Sequence, residues 1–284
     1  MSGRSRSGRG EWLGQHFLAG RWLAEELAEG AQIGRADLVV ELGAGTGLLT
    51  EALAGQAGRV LAVERDPGLA ARAAARLAGH RNVRVVTGDA RRIALPGRPF
   101  RVVANLPFGV TTALLRRLLA DPLVPLQRAD LLVQWEAARR WARCRPATPD
   151  LVRAGFRWRL EVTRRLEPAC FRPPPSVVAG LLVATRRRPP LLPDARRHRP
   201  DALLASLFQR PSVPLRRSLV PPLSPGQLRH LASDLGFPLA ALPADLDPVQ
   251  WAGLLTHLQS ATRTKQHGRP GSWGGSGGSE LPPE

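Results

Sequence analysis

Asn105-Leu106-Pro107-Phe108 place an amide, a proline-fixed backbone and an aromatic ring at the end of the apolar run Val102-Val103-Ala104. Carbonyl acceptors at such a position can hold the hydrogens of an exocyclic amine while the ring stacks on the flat base that carries it. The arrangement suits a reaction at a nucleobase nitrogen. Pro107 fixes one backbone torsion and offers no N–H, so the carbonyls before it can face a ligand instead of closing a helical turn. A strand ending in an ordinary Asn-X-Pro turn would contain the same four residues, so other parts of the chain must distinguish the two.

A second group of residues belongs to a cofactor. Glu41-Leu42-Gly43-Ala44-Gly45-Thr46-Gly47 follows the apolar run Leu38-Val39-Val40, and its glycines let the backbone approach a ligand closely. A dinucleotide fingerprint would place glycine where Leu48 stands, which disfavours a nicotinamide or flavin site. Glu64 ends the next apolar run, roughly twenty positions beyond the glycines, where a carboxylate can accept both hydroxyls of a ribose. Asp89 ends a third run and could accept from an adenine amine. Packing turns and solvated strand ends are the alternatives for each residue alone. Three strand ends in succession argue for a nucleoside-bearing ligand.

The 284 residues carry a formal net charge of +18 and are 43% hydrophobic, enough apolar material for a packed interior. Lys265 is the sole lysine, and because a GC-rich coding bias also favours arginine, the sign of the charge says more than the residue chosen. An excess of this size points to a polyanionic partner, foremost nucleic acid. Arg116 and Arg117, Arg139, Arg140 and Arg143, and Arg164 and Arg165 form local clusters that could track phosphates or be solvated faces. Cys144 and Cys170 form no Cys-x-x-Cys pair, so neither a disulfide framework nor a metal site is indicated. The start carries Arg4, Arg6 and Arg9 without a following apolar segment, and no run is of membrane-spanning length; a cytoplasmic chain is expected.

Behind these residues, short apolar runs alternate with helical patterns, beginning with an amphipathic helix over 21–29. Strands are expected at 38–42, 60–63, 83–86 and 100–104, with helices at 69–77 and 114–119 between and after them. This grammar predicts an α/β fold whose parallel sheet is covered on both faces and binds ligands beyond the carboxyl ends of its strands. Further strands are expected at 129–133, 157–162 and 177–184. Past Arg186-Arg187-Arg188-Pro189-Pro190 the pattern becomes helical, at 201–209, 224–235 and 248–258. The expected organisation is a disordered basic arm (1–10), a catalytic domain (11–187), a helical domain (188–260) and a disordered tail (261–284).

The chain resembles the Erm rRNA adenine N-methyltransferases, within the wider group of rRNA adenine dimethyltransferases, over residues 14–258. The resemblance rests on Gly14-Gln15-His16-Phe17-Leu18, the 40–47 glycine loop, residues 105–108 and Val133-Gln134-Trp135-Glu136-Ala137-Ala138. Phe171-Arg172-Pro173-Pro174-Pro175 and residues 244–251 add to it, while Trp135 and Thr111-Thr112 lean toward Erm over the small-subunit enzymes. It implies a Rossmann-like class I methyltransferase sheet with a small C-terminal helical domain, S-adenosyl-L-methionine as cofactor and an adenine of 23S rRNA as acceptor. By the same resemblance, methylation there would give macrolide-lincosamide-streptogramin B resistance. It further implies cofactor contacts at His16, Leu18, Gly43, Gly45, Glu64, Asp89 and Asn105, and catalysis by Asn105, Leu106, Pro107 and Phe108, with no metal, by a monomer.

His16 departs from the family's asparagine, and a backbone contact would survive that change better than a side-chain one. Phe171 could close the far face of the target base or simply pack in the core. The same active site would also serve paired adenines of small-subunit rRNA, and a catalytically silent RNA-binding relative would keep the same surface. If phosphates are tracked, affinity for RNA falls steeply between low and moderate salt; filter binding across a salt series that gives a flat response excludes that mode.

Overall fold

A computed structural model describes residues 16–192, 200–220 and 223–267; the arm at 1–10 and the tail from 268 lie outside the described residues. The strands are β1 (Phe17–Leu18), β2 (Leu38–Leu42), β3 (Arg59–Glu64), β4 (Val83–Thr87), β5 (Phe100–Asn105), β6 (Leu126–Gln134), β7 (Trp158–Leu166), β8 (Phe171–Arg172) and β9 (Ala179–Arg186). The helices are α1 (Arg21–Gly30), α2 (Leu48–Gln56), α3 (Pro67–Arg76), α4 (Thr111–Leu115), α5 (Trp135–Trp141), α6 (Pro149–Arg157), α7 (Pro200–Phe208), α8 (Leu215–Ser218), α9 (Pro225–Leu235) and α10 (Pro248–His267).

Seven strands form one sheet in the order β4-β3-β2-β5-β6-β9-β7, and β1 pairs separately with β8. From β4 to β6 all pairings are parallel. The wholly parallel sheet expected from the alternation is corrected at the far edge, where β9 runs antiparallel to both β6 and β7. No α-helix separates β7 from β9, so no crossover can return the chain to a parallel register.

Alternation along the strands covers both faces of the sheet. Val40, Leu42, Val102 and Ala104 join one buried cluster, and their neighbours Val39 and Val103 join another on the opposite side. Helix starts follow local chemistry: the Asp66 side chain accepts from Leu69 N at 2.8 Å to cap α3, and Thr148 accepts from Leu151 N at 3.4 Å to cap α6, each with proline in the first turn. Helices α5 and α6 were absent from the sequence pattern and fill the connection from β6 to β7. Val152 and Phe156 of α6 pack into the C-terminal cluster with Trp251 and Leu254, so packing crosses the expected boundary at 188. Helix α10 continues past 261, into the expected tail. Among the described residues, no helix is long and apolar enough to cross a membrane.

The helix expected over 114–119 is α-helical only at its start, in α4. It continues as a π-helical turn, Arg116–Ala120, with Leu118 and Leu119 buried. Trp158 Nε1 at the start of β7 donates to Leu119 O at 2.9 Å and ties that turn to the sheet edge. Trp158→Phe removes a buried donor from a carbonyl with no access to water, and is expected to cost about 1–3 kcal/mol in urea unfolding. An unchanged midpoint and slope would remove this bond from the account of the turn.

Candidate active site

The cofactor side is built where β2 and β3 end together. Gly43 N and Ala44 N donate to Val63 O at 2.8 and 3.1 Å, folding the glycine loop over the tip of β3. Gly45 lies at φ 57°, and a Cβ there would come within 2.8 Å of the Phe17 ring, so both torsion and space require glycine. Gly45 N donates to Glu64 Oε2 at 2.8 Å, and Asp66 N donates to Oε1 at 2.9 Å. Glu64, only 3% exposed, is therefore fixed by two backbone amides, and each oxygen keeps a lone pair for a hydroxyl. That geometry fits a ribose diol.

Beneath the loop, Glu41 is 1% exposed and accepts from Thr50 Oγ1 at 2.5 Å. Burial pushes its carboxyl up to about 8; the Thr50 bond opposes the rise and the nearby Glu64 charge adds to it. Asp89, past β4, is held differently. Arg91 donates from Nε at 3.0 Å to each of its oxygens and from Nη2 at 2.5 Å to Oδ2. These bonds, with one from Arg91 N at 2.8 Å, hold the Asp89 carboxyl at about 2, so it is an anionic acceptor.

The base side is built at the end of β5. Asn105 Nδ2 donates to His16 O at 2.6 Å, which leaves Oδ1 as the other end of the amide. Pro107 O is taken by Val110 N at 3.1 Å and Thr111 Oγ1 at 3.2 Å, and neither bond uses the Leu106 carbonyl. Phe108 is half-buried, with the His16 ring 5.5 Å away behind a 41° tilt. His16 Nδ1 lies 2.8 Å from Pro173 O, a bond that requires its proton on Nδ1. His16 thus contributes its backbone carbonyl to Asn105 while its ring backs Phe108.

His16, Gly43, Gly45, Glu64, Asp89, Asn105, Leu106, Pro107 and Phe108 line one cleft. Leu18 is not among them; it is largely buried, pairs with Phe171 across β1 and β8, and lines a small separate pocket with Gly43 and Asn105. Phe171 as a wall for the base is corrected: it is 1% exposed and packs with Leu18, Val103 and Leu132. Arg117 as a phosphate contact is also corrected, because its guanidinium is turned inward onto Ala90 O and Ile93 O. Arg116 pairs with Asp150 at 2.7 Å, Arg139 lies 3.8 Å from Glu136, and Arg164 pairs with Glu26. Arg165 lies over the Trp135 ring at 5.5 Å, while Arg140 and Arg143 are exposed.

Phe17, Arg65 and Arg91 also line the cleft and were not read from the sequence. Phe17 stood beside His16 in a motif already singled out, and Arg91 lies two positions past Asp89, the reach of a local turn. Among the described residues, no group of three or more His, Cys, Asp or Glu could hold a metal ion.

Residues 10–246 match the family described as ribosomal RNA adenine dimethylase. The chain is 36% identical over 274 residues to the mycinamicin-resistance protein MyrB of Micromonospora griseorubida, covering 92% of this chain and 85% of that one. It is 35% identical over 258 residues to ribosomal RNA small subunit methyltransferase A of Rubrobacter xylanophilus, covering 87% and 94%. The fold matches the crystal structure of the 23S rRNA methyltransferase ErmE with a TM-score of 0.76 at 28% identity, covering 86% of this chain and 99% of that one.

Glu41 binds its proton more tightly in the folded than in the unfolded chain. Its stabilising contribution is complete below the ordinary value of 4.5 and is lost as pH rises to about 8. Glu41→Gln, uncharged throughout, is expected to flatten the fall in Tm across that interval. Calorimetric melts with the same pH slope in both proteins would count against a buried, protonated Glu41.

Proposed function

Because this chain belongs to the ribosomal RNA adenine dimethylase family, S-adenosylmethionine-dependent methyltransferases of adenine N6 in rRNA, we propose that its acceptor is one adenine of 23S rRNA. Modification of that base would give resistance to macrolide, lincosamide and streptogramin B antibiotics. The reading draws on the 23S rRNA activity named for ErmE, the resistance named for MyrB, and the residues Trp135 and Thr111-Thr112. A relative named for the small subunit keeps 16S rRNA as the competing acceptor.

The residues fit the cofactor: the glycine cradle at Gly43 and Gly45, the ribose acceptor Glu64 and the anionic Asp89 for an adenine amine lie along one cleft. When bound, S-adenosylmethionine would supply an electrophilic methyl group, its sulfur–methyl bond breaking to release the neutral thioether S-adenosylhomocysteine. On the other side, the adenine amine is a weak nucleophile because its lone pair is delocalised into the ring. Asn105 Oδ1 and the Leu106 carbonyl accept its two hydrogens, which favours a lone pair localised on nitrogen and directed at the methyl carbon. Phe108 stacks on the base and fixes its plane. No strong base is required, since the nitrogen loses its proton to solvent once it carries positive charge.

The observation that carries this mechanism is the 2.6 Å bond from Asn105 Nδ2 to His16 O, which leaves Oδ1 as the acceptor end of the amide. The test incubates protein-free 23S and 16S transcripts with radiolabelled donor and maps modified adenines by primer extension. A single labelled adenine in 23S rRNA supports the proposal; label at paired adenines of 16S rRNA replaces it with the small-subunit reading. Stacking on an aromatic side chain is worth ~1–3 kcal/mol per base, so Phe108→Ala is expected to lower kcat/KM roughly tenfold to a hundredfold. A near-unchanged value excludes the ring from the mechanism.

A further inference from the structure

Arg117 lies on the π-helical turn Arg116–Ala120, which continues from the base side of the cleft. Short π-helical insertions recur at functional sites. Its guanidinium crosses to the turn after β4, donating from Nη1 to Ala90 O at 2.5 Å and from Nη2 to Ile93 O. That turn carries Asp89 and is closed by its own bonds, with Asp89 O accepting from Arg92 N at 2.8 Å and from Ile93 N at 2.9 Å. Among the described residues, Arg117 is the one side chain from another element that hydrogen-bonds residues 90–93. Asp89 and Ala90 both line the cleft.

A partly buried guanidinium on two neutral carbonyls has given up hydration that a surface arginine keeps, and burial accordingly lowers its pKa. The nearby Asp121 and Asp89 charges oppose that shift. Such an arginine presents its donors to the protein and not to phosphate. It connects the segment that holds the target base to the turn that meets the cofactor's adenine.

We propose that Arg117 is a positioning residue that clamps the Asp89 turn onto the helix following residues 105–108, setting affinity for the adenosine half of the cofactor. The proposal rests on the reading of Asp89 as the partner of the cofactor's adenine amine. Because the clamp acts on the adenosine end of the cofactor, its loss must be felt equally with or without the amino-acid end. S-adenosylmethionine and 5′-methylthioadenosine, which lacks the amino-acid portion, must lose the same factor when the clamp is cut.

The test uses the full chain with Arg117→Ala, Arg117→Lys and Asp89→Ala, measuring Kd for both nucleosides by calorimetry, RNA affinity by filter binding, and steady-state kinetics. Two bonds from a charged donor are at stake, so Arg117→Ala is expected to weaken both nucleosides by about tenfold. KM for S-adenosylmethionine rises to match, while kcat and RNA affinity stay within about twofold of the parent. Arg117→Lys, whose ammonium can reach one carbonyl, recovers part of the loss. Lower RNA affinity with unchanged nucleoside binding overturns the clamp, as does a loss confined to S-adenosylmethionine.

If Arg117→Ala melts below the assay temperature, Arg117→Lys carries the same comparison, and equal partial losses on both nucleosides support the clamp. Asp89→Ala separates the two layers. If it weakens nucleoside binding while the Arg117 variants do not, only the clamp fails; if it leaves nucleoside binding unchanged, the Asp89 reading fails and the clamp falls with it.

Discussion

An amide can offer its oxygen dependably to a substrate amine only when its nitrogen is committed elsewhere. In this protein the commitment is the bond from Asn105 Nδ2 to His16 O, and much of the architecture serves to hold His16 in place. The two-residue ladder of β1 with β8, the bond from Ala19 N to Cys170 O at 2.8 Å and the contact of His16 Nδ1 with Pro173 O strap this segment to residues 170–173. Phe171 takes part from below, as a buried anchor of the strap. A residue that could have touched the base instead supports the strand whose neighbour orients the amide.

The cofactor side obeys the same logic with different groups. Parallel strands deliver Gly43, Glu64 and Asp89 to one edge of the sheet, but delivery alone does not aim a carboxylate. Glu64 is aimed by the amides of Gly45 and Asp66, and Asp89 by Arg91. Glu41, just before the loop, is buried and raised in pKa, so the loop rests on a carboxyl that favours its proton. Of these acidic groups, Glu64 and Asp89 line the cleft, beside Arg65 and Arg91, while Glu41 lies beneath the loop.

The strands expected at 38–42, 83–86 and 100–104, the glycine loop and the 105–108 segment were legible because each is a local pattern: an apolar run, its period, and the residue that stops it. Helices α5 and α6 were not, since their short amphipathic turns lie between strands and look like connections until α6 packs on the C-terminal cluster. The strand expected at 177–184 is present as β9, but its antiparallel direction was not legible, for a related reason. Strand direction depends on where the chain returns, and residues 167–178 encode only that it turns.

Sequence by itself determined the chemistry on offer: an amide, a proline and a ring at one strand end, acidic groups at two others, and a polycationic chain to meet RNA. The caps at Asp66 and Thr148 are local chemistry too, yet the apolar pattern placed the first of these helices at 69 and did not show α6. Tertiary structure alone decided which of the candidate groups face the cleft. Burial took Phe171 into the core, carbonyls 24 and 27 residues away drew Arg117 inward, and His16 reached Asn105 across 89 positions. The reason is physical: residue type fixes what a group can bond to, whereas the partner it bonds is fixed by which distant backbone atoms the fold brings within about 3 Å.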